Sequence, residues 1–160
     1  MKLAIFDMDG TILDSMGLWL NAGELYLKTL RITAEKDLGK KLFELNMEEG
    51  AEYMKEKYHL PFSVPELCDG INKVLSDAYE NSLKLKPGAF EFLTMLKKKG
   101  IKTALCTNTS DQLFEKAFDR LKINELFDFK MYTGKFNFSK SNPDVFFYIS
   151  GLFDARPDET

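Results

Sequence analysis

The sequence predicts an α/β fold: a parallel sheet whose chain is interrupted, after its first strand, by a block of helices. Three observations carry this reading. A short apolar run, Leu3 to Phe6, breaks at Asp7-Met8-Asp9-Gly10, the pattern of a strand buried on both faces that meets a turn. Helical periodicity then fills the chain from Ser15 onward. Beyond Lys86-Pro87-Gly88 helix and strand alternate, the signature of βαβ units.

At 160 residues the chain suits one domain, or one domain carrying an insert, and it can bury a sizeable core. With 44% hydrophobic and 29% charged residues, disorder and collagen-like repeats are excluded, and no apolar stretch is long enough for a transmembrane span. The acids Asp7 and Asp9 also cut the opening apolar run short of a signal peptide. A formal net charge of −3 gives no electrostatic footprint for nucleic acid or an anionic membrane. The two cysteines, Cys68 and Cys106, form no CxxC pair or metal-ligand spacing, so reduced thiols and a cytoplasmic location are expected.

The elements follow in order. Ser15 is placed to cap a helix with Leu18, Ala22 and Leu25 at helical spacing, and Thr33 to open a second with Leu38, Leu42 and Leu45 on one face. A third carries Met47, Ala51, Met54 and Tyr58 and stops near Leu60-Pro61. Ser63-Val64-Pro65-Glu66 is a capping box that starts a fourth, with Leu67, Ile71, Val74 and Ala78 facing inward. These four read as an antiparallel bundle. After the Pro-Gly turn come a helix from about Ala89 to Lys99 ended by Gly100, a strand Ile101 to Cys106, and a turn Thr107-Asn108-Thr109. Ser110 then caps a helix with Leu113, Phe114, Ala117 and Leu121 inward. A strand over Phe127 to Tyr132 and a helix from Asn142-Pro143-Asp144, closed by Gly151, complete the pattern. The expected division is therefore a sheet core from 1–14 and 86–160, and a helical cap from 15–85.

Asp7 and Thr107 lie far apart in the chain, yet each falls at the C-terminal end of a predicted parallel strand, the edge where ligands bind in open α/β sheets. Two carboxylates spaced by two at a strand end point the same way, and Gly10 allows the sharp turn that follows. Such a pair suits phosphoryl transfer: one carboxylate attacks phosphorus, the other protonates the leaving oxygen and later deprotonates water. A Mg²⁺ ion held by carboxylate and phosphate oxygens would neutralise the charge of that attack. Hydroxyl and N–H donors at a strand-to-helix turn make an anion site, for which a lysine is a suitable point charge.

Ile5-Phe6-Asp7-Met8-Asp9-Gly10-Thr11-Ile12-Leu13-Asp14-Ser15 resembles the first motif of the haloacid dehalogenase (HAD) superfamily of phosphohydrolases, near its phosphoglycolate phosphatase and β-phosphoglucomutase-like branch. Leu105-Cys106-Thr107-Asn108 resembles the second motif and Ser139-Lys140-Ser141-Asn142-Pro143-Asp144-Val145-Phe146 the third, in the right order and spacing. The resemblance implies a Rossmann-like (HAD-like) core with an inserted α-helical cap. It makes Asp7 nucleophile and Mg²⁺ ligand, and Asp9 general acid/base with its carbonyl on the metal. Gly10, Thr11, Thr107, Asn108 and Lys140 would contact the substrate phosphate, with Lys135 the rival lysine. The implied partner is a small phosphorylated metabolite. A phosphomutase and a non-catalytic phosphate-binding or interaction module are the alternatives. Dehalogenation is disfavoured because that branch generally lacks the second acid.

The family's fourth motif, a further strand ending in acidic residues that complete the Mg²⁺ shell, is not found before Thr160. A core incomplete at its C-terminus is thus expected, with an impaired, fragmentary active site. It would leave Leu3 to Phe6 as an exposed apolar edge and permit self-association there. Half of the 14 phenylalanines fall between Phe127 and Phe153, so part of that apolar surface is also expected to lack cover.

Overall fold

The computed structural model describes residues 1–136 and 138–160. Its elements in chain order are β1 (Leu3–Phe6), α1 (Met16–Thr29), α2 (Leu38–Phe43), α3 (Met47–Tyr58), α4 (Val64–Asn81), α5 (Ala89–Lys98), β2 (Lys102–Thr107), α6 (Asp111–Leu121), β3 (Phe129–Tyr132) and α7 (Asp144–Leu152). They divide into two compact units, one of Met1–Asp14 with Leu83–Thr160, the other of Ser15–Ser82.

The first unit is a three-stranded parallel sheet in the order β1-β2-β3, with Leu3 opposite Lys102 and Ala104 opposite Phe129. Leu3, Ala104, Cys106 and Met131 form a core cluster with Val145 and Ile149 of α7. Phe118 of α6 stacks on Phe127, centroids 5.3 Å apart, and Phe127 meets Phe6 edge-on at 6.4 Å. Strand β1 is an edge, as expected, but its side chains are not bare. Leu3 is fully buried, Ile5 joins the α7 cluster, and Phe6 lies against Phe92 and Phe127. At its start the Lys2 N–H donates to the Glu159 carbonyl at 2.7 Å, and the Lys2 ammonium sits 3.0 Å from the Glu159 carboxylate. The expected apolar exposure does occur on α7, where Phe146, Phe147, Tyr148 and Leu152 are all open to solvent.

The second unit pairs α1 with α2, α1 with α4, and α3 with α4. Ala22, Leu27, Leu38, Ala51, Met54, Leu67, Ile71 and Leu75 form its core. The predicted capping box at Ser63 and Glu66 is present. No helix among the described residues is long and apolar enough to cross a membrane.

Several local expectations are corrected. Ser15 does not cap α1 through its side chain: its backbone is already helical (φ −105°, ψ −8°), so the hydroxyl is not aimed at the first turn. Ser110 likewise makes no side-chain cap on α6. The buried stripe of α4 is Leu67, Ile71, Leu75 and Tyr79 rather than Val74 and Ala78, because the Trp19 indole N–H anchors the Tyr79 hydroxyl at 3.0 Å. On α6 it is Phe118, drawn in by Phe127, that is buried instead of Leu113 and Leu121. Helix α7 runs through Gly151, and the left-handed residue after it is Asp154 (φ 48°).

Thr33 opens no helix; α2 begins at Leu38. The intervening segment is held by tertiary bonds that outcompete a local helix. The Glu35 N–H donates to the Tyr58 hydroxyl at 2.9 Å, and its carboxylate accepts from Tyr53 at 2.5 Å and Lys41 at 2.9 Å, with Lys57 at 3.2 Å. The Tyr53 hydroxyl first, then the lysines, hold the Glu35 carboxyl down at about 2. A carboxyl depressed on folding contributes stability above its unfolded value, near 4.5, and loses it as pH falls toward the folded one. Denaturant unfolding of the wild type should therefore weaken between about pH 4.5 and pH 2 more steeply than that of Glu35→Gln. Parallel slopes for the two proteins would refute the assignment.

Candidate active site

The carboxyl ends of β1 and β2 lie side by side, and each of the three segments singled out in the sequence contributes a polar group there. Strand β1 ends at Phe6, so Asp7 is the first residue beyond it. Met8 is fully buried, which turns its neighbours Asp7 and Asp9 away from the core. The chain then reverses tightly. The Met8 carbonyl accepts from the N–H groups of Thr11, Ile12 and Leu13, Gly10 N–H donates to the Leu13 carbonyl at 2.9 Å, and Gly10 takes φ 75°, which favours glycine. The N–H groups of Gly10 and Thr11 are thus spent within the turn, and Thr11 is exposed.

Lys140 reaches Asp7. Its ammonium lies 2.6 Å from Asp7 Oδ1, an oxygen that also accepts from the Met8 N–H at 2.7 Å. Side-chain exposure is 43% for Asp7 and 24% for Lys140, so the pair is open to a ligand yet partly desolvated. The rival Lys135 is 65% exposed and pairs with Asp111 at 3.2 Å instead. The loop that carries Lys140 is braced by the Ser139 and Ser141 hydroxyls, 2.7 Å apart, and by Asn142, whose Oδ1 accepts the Asp144 N–H at the start of α7.

From β2, Thr107 is buried at the strand end and its hydroxyl accepts the Thr109 N–H at 3.1 Å, which leaves the hydroxyl's own proton to be donated. Asn108 is exposed, and its side-chain carbonyl accepts from the buried Thr133 hydroxyl at 2.7 Å. Thr109 donates its hydroxyl to Asp9 Oδ2 at 2.6 Å. Thr109 and Thr133 are the residues that sequence reasoning missed. The repeat Thr107-Asn108-Thr109 hints at the first; nothing local marks Thr133, which follows β3.

Cys106, one residue before Thr107, is an inert neighbour. Burial raises its thiol above the usual range, with Lys140 opposing and Asp7 adding to the shift. His59 is exposed at the left-handed end of α3. Among the described residues no group of three or more His, Cys, Asp or Glu side chains is assembled as a metal cage.

The sequence profile of haloacid dehalogenase-like hydrolases matches residues 4–160, nearly the whole chain. The chain belongs to this family. It is 23% identical over 159 residues to a phosphorylated carbohydrates phosphatase of Thermotoga maritima, covering 99% of this chain and 74% of that protein. It is 26% identical over 160 residues to hexitol phosphatase B of Escherichia coli K12, covering 96% of this chain and 70% of the relative. Among solved structures, one from Thermotoga maritima named a "putative beta-phosphoglucomutase" superposes with a TM-score of 0.89 at 23% identity, over 99% of this chain and 74% of that one. The α/β sheet with its helices is thus a HAD-like fold. Nothing in these comparisons supports self-association through β1.

Proposed function

We propose that this HAD-family hydrolase is a Mg²⁺-dependent phosphatase acting on a small phosphorylated metabolite, such as a sugar phosphate, through a phosphoryl group carried on Asp7. The observation that supports this most is the Lys140 ammonium 2.6 Å from Asp7 Oδ1 at the carboxyl end of the sheet, where the paired strand β2 ends at Thr107. A carboxylate so placed is a nucleophile with its anionic target's charge already answered. Asp7 would attack phosphorus, the P–O bond to the substrate alcohol would break, and Asp9 would give that oxygen its proton. Asp9, now ionised, would take a proton from water as the water cleaves the acyl-phosphate, returning Asp7 and releasing inorganic phosphate. Thr107, the Asn108 turn and Lys140 would hold the phosphoryl oxygens, and the helical unit of Ser15–Ser82 would act as the cap.

The donors present suit Mg²⁺: the Asp7 carboxylate and the Asp9 backbone carbonyl are hard oxygens, and the exposure of Asp7 leaves room for the waters this ion keeps. When bound, Mg²⁺ would neutralise charge between the carboxylate and the ester. A mutase reading is not favoured, since both curated relatives named above are phosphatases. Phosphate release from p-nitrophenyl phosphate should require added Mg²⁺ and disappear with a chelator. Turnover unchanged by chelation would remove the metal from the proposal.

A further inference from the structure

The geometry points to Thr109 as a positioning residue that sets Asp9 for its proton transfers, an inference that rests on the proposed phosphatase reading. Three features single it out. Its hydroxyl donates to Asp9 Oδ2 at 2.6 Å, across a sequence separation of 100 residues. It is almost buried, so the bond is shielded from competing water. Its own N–H is fixed on Thr107 Oγ1 at 3.1 Å, so hydroxyl and backbone of one residue tie the acid to the anion-binding turn. The bond holds the Asp9 carboxyl at a constant place relative to a phosphoryl group seated on Thr107. Proton transfer depends steeply on such placement, and a misplacement of about 1 Å costs on the order of 10²-fold.

An alkyl phosphate needs its leaving oxygen protonated, whereas p-nitrophenolate departs without help. In Thr109→Val, kcat/KM for an alkyl phosphate such as glycerol phosphate should fall on the order of 10²-fold, and for p-nitrophenyl phosphate only about threefold. Thr109→Ser, which keeps the hydroxyl, should restore the alkyl ester to within about threefold. Equal losses on both esters, or a serine variant as poor as valine, would overturn the assignment. A readout independent of turnover is the ¹³C resonance of the Asp9 carboxyl in labelled protein, identified by its loss in Asp9→Asn. It should move in Thr109→Val and return in Thr109→Ser, while an unmoved resonance overturns the proposal. A resonance that moves and returns in this way, with a wild type that hydrolyses neither ester, would keep the contact with Asp9 and overturn the phosphatase reading.

Discussion

Asp7→Asn is expected to lower phosphate release by about 10⁴-fold or more, to the level left by binding and electrostatics alone. The amide matches the carboxylate in size but cannot attack phosphorus, so the loss should fall on kcat. The fold should hardly notice. Asp7 is 43% exposed, and its ion pair with Lys140 is of the half-solvated kind that contributes about 1 kcal/mol or less. Far-UV circular dichroism and the unfolding midpoint should therefore match the wild type while turnover disappears. In rapid-quench experiments the wild type, but not the variant, should carry a phosphoryl group that hydroxylamine releases, as an acyl-phosphate requires. A variant that still turns over would transfer the nucleophile's role elsewhere.

Lys140→Met carries the next largest effect. Methionine keeps most of the aliphatic stem and removes the charge, so the expected loss is about 10²- to 10³-fold in kcat/KM, the scale of one oriented electrostatic partner of a developing anion. It should appear in both terms, because the ammonium answers the charge of the bound phosphate as well as that of the transition state. Lys140→Arg should recover little: a planar fork cannot substitute for a compact ammonium held 2.6 Å from a single oxygen. Lys135→Met serves as the control and should leave turnover within about twofold, since exposed ion pairs such as that with Asp111 are weak. Equal losses at the two lysines would contradict the geometry.

How much of this was legible in the sequence depended on whether the controlling interactions were local. The strand Leu3–Phe6, the glycine turn at Gly10 and the Ser63–Glu66 capping box are encoded within a few residues, and each was readable. The short range of these features is also why the candidate residues at the two strand ends could be picked out before any coordinates. The failures lie where distant residues decide. Thr33 looks like a helix start until Tyr53, Tyr58, Lys41 and Lys57 converge on Glu35 and hold the segment open. The burial of Phe118 and Tyr79 depends on Phe127 and Trp19, partners that periodicity does not see. Thr109 and Thr133 escaped for the same reason, since a threonine declares a role only when its acceptor is known, and the acceptors here are 100 and 25 residues away.

Where the chain departs after the first motif and where it comes back, two stretches of backbone run antiparallel: the Asp14 N–H donates to the Lys84 carbonyl at 2.9 Å, and the Lys86 N–H to the Ile12 carbonyl at 2.9 Å. The doorway into the intervening segment is thus also its exit. Lengthening a stretch whose ends are already clasped costs little, about 0.6 kcal/mol for each doubling. Evolution is therefore free to enlarge, shrink or replace what lies between Asp14 and Leu83 without disturbing the paired stem on which it is grafted.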